Sequence, residues 1–130
     1  MTLIPWKAGK CLVWDFTCVD TLAPSHIADS NIKSGVIAEK TEAKKLAKYS
    51  NLSDSNHVVV PICVETLGSW GKEGMRLINE IDALIKRETG EIRSTKFLFQ
   101  ALNMAVQRGN AISVLSTIPR TSTLDEIFLL

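Results

Sequence analysis

Apolar and polar positions follow two different periods along this chain, and the changes of period divide it into elements. Residues 11–19 (CLVWDFTCV) alternate so that Cys11, Val13, Asp15 and Thr17 share one side and Leu12, Trp14, Phe16 and Cys18 the other. Apolar residues on both sides predict a strand in a central, covered position. Residues 57–65 (HVVVPICVE) predict a second such strand, with Pro61 removing a ladder donor and so placing it at an edge or a bulge. Residues 1–6 predict a short strand, joined to the first by a tight turn over KAGK with Gly9 at the bend.

Helical periodicity governs the rest. Residues 35–49 predict a helix with Val36, Ala43, Leu46 and Ala47 as its apolar side and most of its lysines opposite. Residues 75–87 carry Leu77, Ile78, Ile81, Leu84 and Ile85 on one stripe, and the helix ends at Thr89-Gly90. Ser94 is placed to cap a further helix reaching Gln107, packed through Phe97, Leu98, Ala101, Leu102 and Ala105 and stopped by Gly109. Polar segments at 20–34 and 50–56, and the glycine-rich 68–74, read as loops. Residues 111–130 hold one apolar patch and then a tail to which the pattern assigns no element.

The predicted order is β-β-α-β-α-α. A crossover helix between strands implies a parallel pair within a small mixed sheet, so the fold class is α/β with two C-terminal helices. One domain spans 1–110, with a sheet-bearing core over 1–74 and a helical part over 75–110.

Composition changes this picture little. With 45% hydrophobic and 22% charged residues, the 130-residue chain reads as an ordinary globular domain. A net charge of +1 offers no global argument for nucleic acid, which leaves local clustering at Lys40, Lys44, Lys45 and Lys48. No apolar run approaches the roughly 18–20 residues of a membrane span, and the N-terminus lacks a signal peptide's pattern, so a nuclear or cytoplasmic location is expected. Cys11, Cys18 and Cys63 have no zinc spacing and read as buried free thiols.

The candidate chemistry lies in residues 10–49. Asp15 is an acid inside an apolar strand, where a charge is costly unless it is paired or binds a cation. Lys45 and Tyr49, four apart, share a helix face, with Glu42 three residues before Lys45. A strand-borne carboxylate meeting a helix-borne lysine is what a metal-dependent phosphodiesterase needs, one to hold the cation and the other to position water. The plainer alternatives are a salt-bridged strand acid, a solvated lysine face over Lys44, Lys45 and Lys48, and Tyr49 packing at the helix end. Glu65 is either a second acid or an exposed strand-end glutamate. Trp70 is either a loop anchor or a surface for stacking a base. His26 and His57 read as isolated, and no P-loop, dinucleotide fingerprint or nucleophile elbow is present.

The ordered set WDFTCVD, AEKTEAKKLAKY and VVVPICVETLGSWG resembles one family. It is similar to the restriction-like endonuclease domain found downstream of the reverse transcriptase in site-specific non-LTR retrotransposons, within the PD-(D/E)XK nuclease superfamily. The likeness covers residues 1–74, and residues 93–115 resemble sequence that follows this domain in mobile-element proteins.

It implies a restriction-endonuclease-like core, DNA as partner, Mg²⁺ or Mn²⁺ as cofactor, and fusion to a reverse transcriptase. It also implies Asp15 as the metal-binding acid, with Glu65 as a further ligand, and Lys45 as the catalytic lysine moved onto the helix. Thr17 stands where other members carry the lysine of (D/E)xK, Lys48 and Tyr49 support the site, and Lys44, Lys48 and Trp70 contact nucleic acid. The family's Pro-Asp pair has no counterpart here, since residues 1–6 hold Pro5 but no acid. The expectation is a domain truncated at its N-terminus and weak or inactive as a nuclease. A non-catalytic nucleic-acid-binding remnant and an unrelated α/β interaction module remain the alternatives.

Overall fold

The computed structural model describes residues 1–53 and 56–118. Strand β1 (Cys11–Val19) and strand β2 (His57–Glu65) form a two-stranded parallel sheet, with Asp15 opposite Pro61 and Thr17 opposite Cys63. Between them run α1 (Ile27–Ser30), α2 (Val36–Lys48) and α3 (Ser50–Ser53), and after β2 come α4 (Lys72–Thr89) and α5 (Ser94–Leu115). This is a mixed α/β chain whose parallel strands are joined by a helical crossover, as the pattern predicts.

Several boundaries differ from the sequence expectation. Residues 1–6 form no strand. Their contacts with β1 are a reciprocal pair, Thr2 N–H to the Leu12 carbonyl and Leu12 N–H to Thr2 Oγ1, both at 2.9 Å. Leu3 and Ile4 are exposed, so of the segment's apolar residues the half-buried Trp6 is left to pack it down. The turn at 7–10 is present, with Ala8 and Gly9 both at positive φ. The loop over 50–56 begins as the one-turn α3, while residues 54–55 lie outside the described residues. Helix α4 starts at Lys72, inside the predicted glycine loop, and ends as expected at left-handed Gly90.

Helix α5 does not stop at Gly109 but continues to Leu115, taking in five residues assigned to the tail. Gly109 is exposed, so its cost is only the ~1 kcal/mol of helix propensity. Residues 119–130 of the predicted tail lie outside the described residues.

The core centres on β2. Helix α2 packs on one face of β2 and α4 on the other. Val59, Pro61, Cys63, Ile37 and Ala38 fill the first side, and Leu12, Val64, Leu77 and Ile78 the second. β1 is not the covered central strand its apolar content predicts, since Trp14 and Phe16 are 47% and 52% exposed.

The buried face of α2 also differs. Ala43, Leu46 and Ala47 face solvent, while Ile37, Ala38 and Glu42 are buried and Thr41 and Lys45 half-buried. On α5, Val106 and Ser94 are the buried residues, while Phe97, Ala101 and Ala105 are exposed. Ser94 does not cap α5. Its hydroxyl donates to Asp82 of α4, which Thr95 (2.6 Å) and Lys86 (2.9 Å) also contact. Of the cysteines only Cys63 is buried, and all three are free.

Candidate functional site

From α2, packed on β2, the half-buried Lys45 and then Tyr49 reach across to β1, and there the predicted residues meet. Lys45 Nζ lies 2.8 Å from Asp15 Oδ2 and also donates to Thr17 Oγ1. The Tyr49 hydroxyl donates to the same Asp15 oxygen at 2.9 Å. Alternation places Asp15 and Thr17 on one side of β1, and helical spacing places Lys45 and Tyr49 on one side of α2, so two local periods build the cluster. It is partly open to solvent, with side-chain exposures of 33% for Asp15 and 17% for Lys45. The bonds from Lys45 and then Tyr49 hold the Asp15 carboxyl below its ordinary range, so it is ionised at neutral pH. Donating to that carboxylate raises the Tyr49 phenol above its usual value.

The flanking lysines stay at the surface. Lys44 and Lys48 are exposed on α2, and the Lys48 ammonium sits 5.4 Å from the centre of the Tyr49 ring. The Lys48 charge also acts on Asp15, and Lys44 adds a further exposed charge next to Lys45 in the sequence.

Two predicted residues lie elsewhere. Glu65 pairs in register with Val19, four residues along from Asp15, or roughly 13 Å at the usual rise of a strand. It is buried rather than exposed, and its Oε1 accepts N–H bonds from Ile37 (3.1 Å) and Ala38 (3.4 Å). Trp70 is a loop anchor: its indole N–H donates to Asn103 at 2.8 Å, and its ring meets Phe99 edge-on at 6.4 Å.

Sequence reasoning missed the role of Glu42. It is 2% exposed, and its carboxylate accepts N–H bonds from Glu73 (2.9 Å), Gly74 (3.0 Å) and Cys63 (3.4 Å). Glu65 and Glu42 therefore do the same work at two helix starts. Each of α2 and α4 begins at a glycine with no capping side chain, Gly35 and Gly71, and a buried glutamate from another element accepts the free N–H groups of the first turn. The readable signal was an acid on the helix side facing the sheet, followed by a segment with glycine at 71 and 74. A Cβ at Gly71 would overlap the Glu42 carboxylate.

With Glu42 and Glu65 engaged, the cluster at Asp15 holds one carboxylate among the described residues. Among the described residues no group of three or more His, Cys, Asp or Glu is arranged to hold a metal ion. That donor set does not fit a tightly held divalent cation, which takes six or more oxygens.

Fold and site together define a mixed α/β protein with a carboxylate–lysine centre shared between a strand and a crossover helix. Compared with protein-family models, curated proteins and solved structures, the chain gives no match. No described helix is long and apolar enough to cross a membrane.

Proposed function

We propose that this chain is a retroelement-derived, restriction-endonuclease-like domain that engages the DNA backbone and, by itself, hydrolyses phosphodiesters weakly. The observation that carries the reading is the convergence of Asp15 and Thr17 with Lys45 and Tyr49 at a half-open site with Lys48 beside it. In this reading Lys44 and Lys48 contact phosphates, positioning the strand without reading its sequence. Lys45 orients the attacking water and stabilises charge developing on the phosphoryl oxygens. Asp15 and Thr17 hold the ammonium in place, and Tyr49 holds Asp15. The one carboxylate that the described residues place here does not fit a tightly held Mg²⁺ or Mn²⁺, so turnover is low.

A second reading is a domain of the same ancestry that binds DNA without cleaving it. What favours it is the engagement of Glu42 and Glu65 in helix starts, which leaves Asp15 as the one acid of the site among the described residues.

Plasmid nicking in Mg²⁺ or Mn²⁺ and duplex binding across a salt series separate the two. Nicking by the native chain that both Asp15→Ala and Lys45→Ala abolish supports the first. Binding without nicking supports the second, and losing Lys44 and Lys48 together should then shrink the log–log salt slope by roughly 2. A chain that neither nicks nor binds DNA sinks both.

A further inference from the structure

Alternation along β1 gives the strand two sides of opposite chemistry. Asp15 and Thr17 meet Lys45 on one, while Leu12, Trp14 and Phe16 turn to the other, the side on which α4 packs. There the sheet, α4 and α5 surround a part-open apolar cavity of about 340 Å³. Of its lining residues, Leu12, Leu77 and Ile78 are buried and lie deep, whereas Trp14 and Phe16 are exposed and form its mouth.

The space is held open by polar bonds. Helix α5 packs on α4, and Leu98 and Leu102 give the cavity its wall on that side. Further along α5, Asn103 accepts from the Trp70 indole N–H at 2.8 Å, and the Asn110 amide donates to the Thr66 carbonyl at 2.9 Å. Both bonds have a set length, so α5 cannot move inward to fill the space without breaking them. The opening toward solvent at Trp14 and Phe16 is the way in.

The lining decides what can occupy it. No charged side chain is among the described residues that line it, and Thr2 contributes the one hydroxyl, whose oxygen already accepts the Leu12 N–H. Water inside would find almost no partner, and an apolar hollow of this kind takes up aromatic solutes readily. The three tryptophans of the chain, Trp6, Trp14 and Trp70, come from three separate segments and all line this one cavity. Their ring faces and edges suit another aromatic ring. A carboxylate ligand would meet no cation there, and a nucleic-acid base would bring donors and acceptors that the lining leaves unpaired. The volume lies at the lower end of the roughly 300–1,000 Å³ typical of ligand sites, which sets a small molecule. We propose that this cavity binds a small, uncharged aromatic molecule. The site is on the side of β1 away from Asp15, so the inference does not depend on the nuclease reading.

The tryptophans supply the readout. Titrating the full chain with N-phenyl-1-naphthylamine, an uncharged dye that brightens in apolar sites and absorbs tryptophan emission, should quench the tryptophans and saturate at one dye per chain. Naphthalene should displace the dye, and decanoate and adenine should not. Leu98→Phe with Leu102→Phe fills the cavity from α5 and should weaken dye binding by about tenfold or more, with the melting temperature kept. Ile81→Phe fills it from α4 and repeats the test if the double variant does not fold. Ile112→Ser removes an exposed apolar side chain of α5 outside the lining and should bind as the native chain does. A native chain that binds no dye overturns the inference. So does undiminished binding by a folded, filled variant, or displacement by decanoate or adenine equal to that by naphthalene.

Discussion

Glu42 and Gly71 form a pair whose coupling can be worked out from the structure. The buried carboxylate takes two short N–H bonds from the first turn of α4, at 2.9 and 3.0 Å, and a longer one from Cys63. A hydrogen bond to a charged group is worth about 1.5–3 kcal/mol, and the contributions of neighbours overlap. Glu42→Ala should therefore cost about 3–5 kcal/mol, a large share of the roughly 5–15 kcal/mol that holds a domain together.

Gly71 has φ −74° and ψ 164°, a conformation open to any residue, so glycine is needed there for space rather than for backbone freedom. Gly71→Ala sets a methyl against the Glu42 carboxylate and should cost about 1–3 kcal/mol by overpacking. In the Glu42→Ala background that obstruction is gone, and the second substitution should then cost almost nothing. Urea unfolding of the native chain, both single variants and the double variant measures the coupling. Additivity within about 0.5 kcal/mol would refute the claim that the glycine exists to admit the glutamate.

Two further outcomes follow from titrating groups. Bonds from Ser94, Thr95 and Lys86 lower the Asp82 carboxyl to about 2, so its stabilising effect is full above its ordinary value near 3.8 and fades as pH falls toward 2. Melting temperature should therefore drop more steeply over that acid window for the native chain than for Asp82→Asn, and parallel curves would count against the α4–α5 network. Burial, with the Glu42 charge second, pushes the Cys63 thiol up to about 11, while Cys18 is exposed. Thiol reagents should label Cys18 readily and Cys63 only as fast as the chain unfolds, and rapid native labelling of Cys63 would contradict the packing of α2 on β2.

The parallel strands and the long helices were legible because each is a long run with one clear period. The Asp15–Lys45–Tyr49 cluster was legible for the same reason, since two periods fix which side chains can meet. The buried side of α2 was misread because periodicity assumes that the apolar side turns inward. Here Ala43 and Leu46 face water, while Glu42 and Lys45 turn in with every polar group partnered. Residues 1–6 misled for the opposite reason. Their composition suits a strand, but Pro5 and the exposed Leu3 and Ile4 leave Thr2 alone to reach the ladder. The role of Glu65 was hidden because its partners, the amides of Ile37 and Ala38, are backbone groups 27 and 28 residues away.

The structural acids and the candidate chemistry are mechanically joined. Glu42 and Lys45 lie three apart on α2, so they share a face, and whatever fixes the rotation of the helix for one fixes it for the other. Glu65 holds the start of α2 against the end of β2, and Glu42 holds its middle against the start of α4. Two anchors along one axis set both the position and the roll of the helix, and Lys45 and Tyr49 are then carried over Asp15 and Thr17 without any loop in between. The centre is thus built on rigid elements, and its lysine stays half-buried beside its acid because a turn earlier the same helix has buried a glutamate. A substitution at Glu42, far from any reacting atom, should loosen the Lys45–Asp15 pair as surely as it loosens α4.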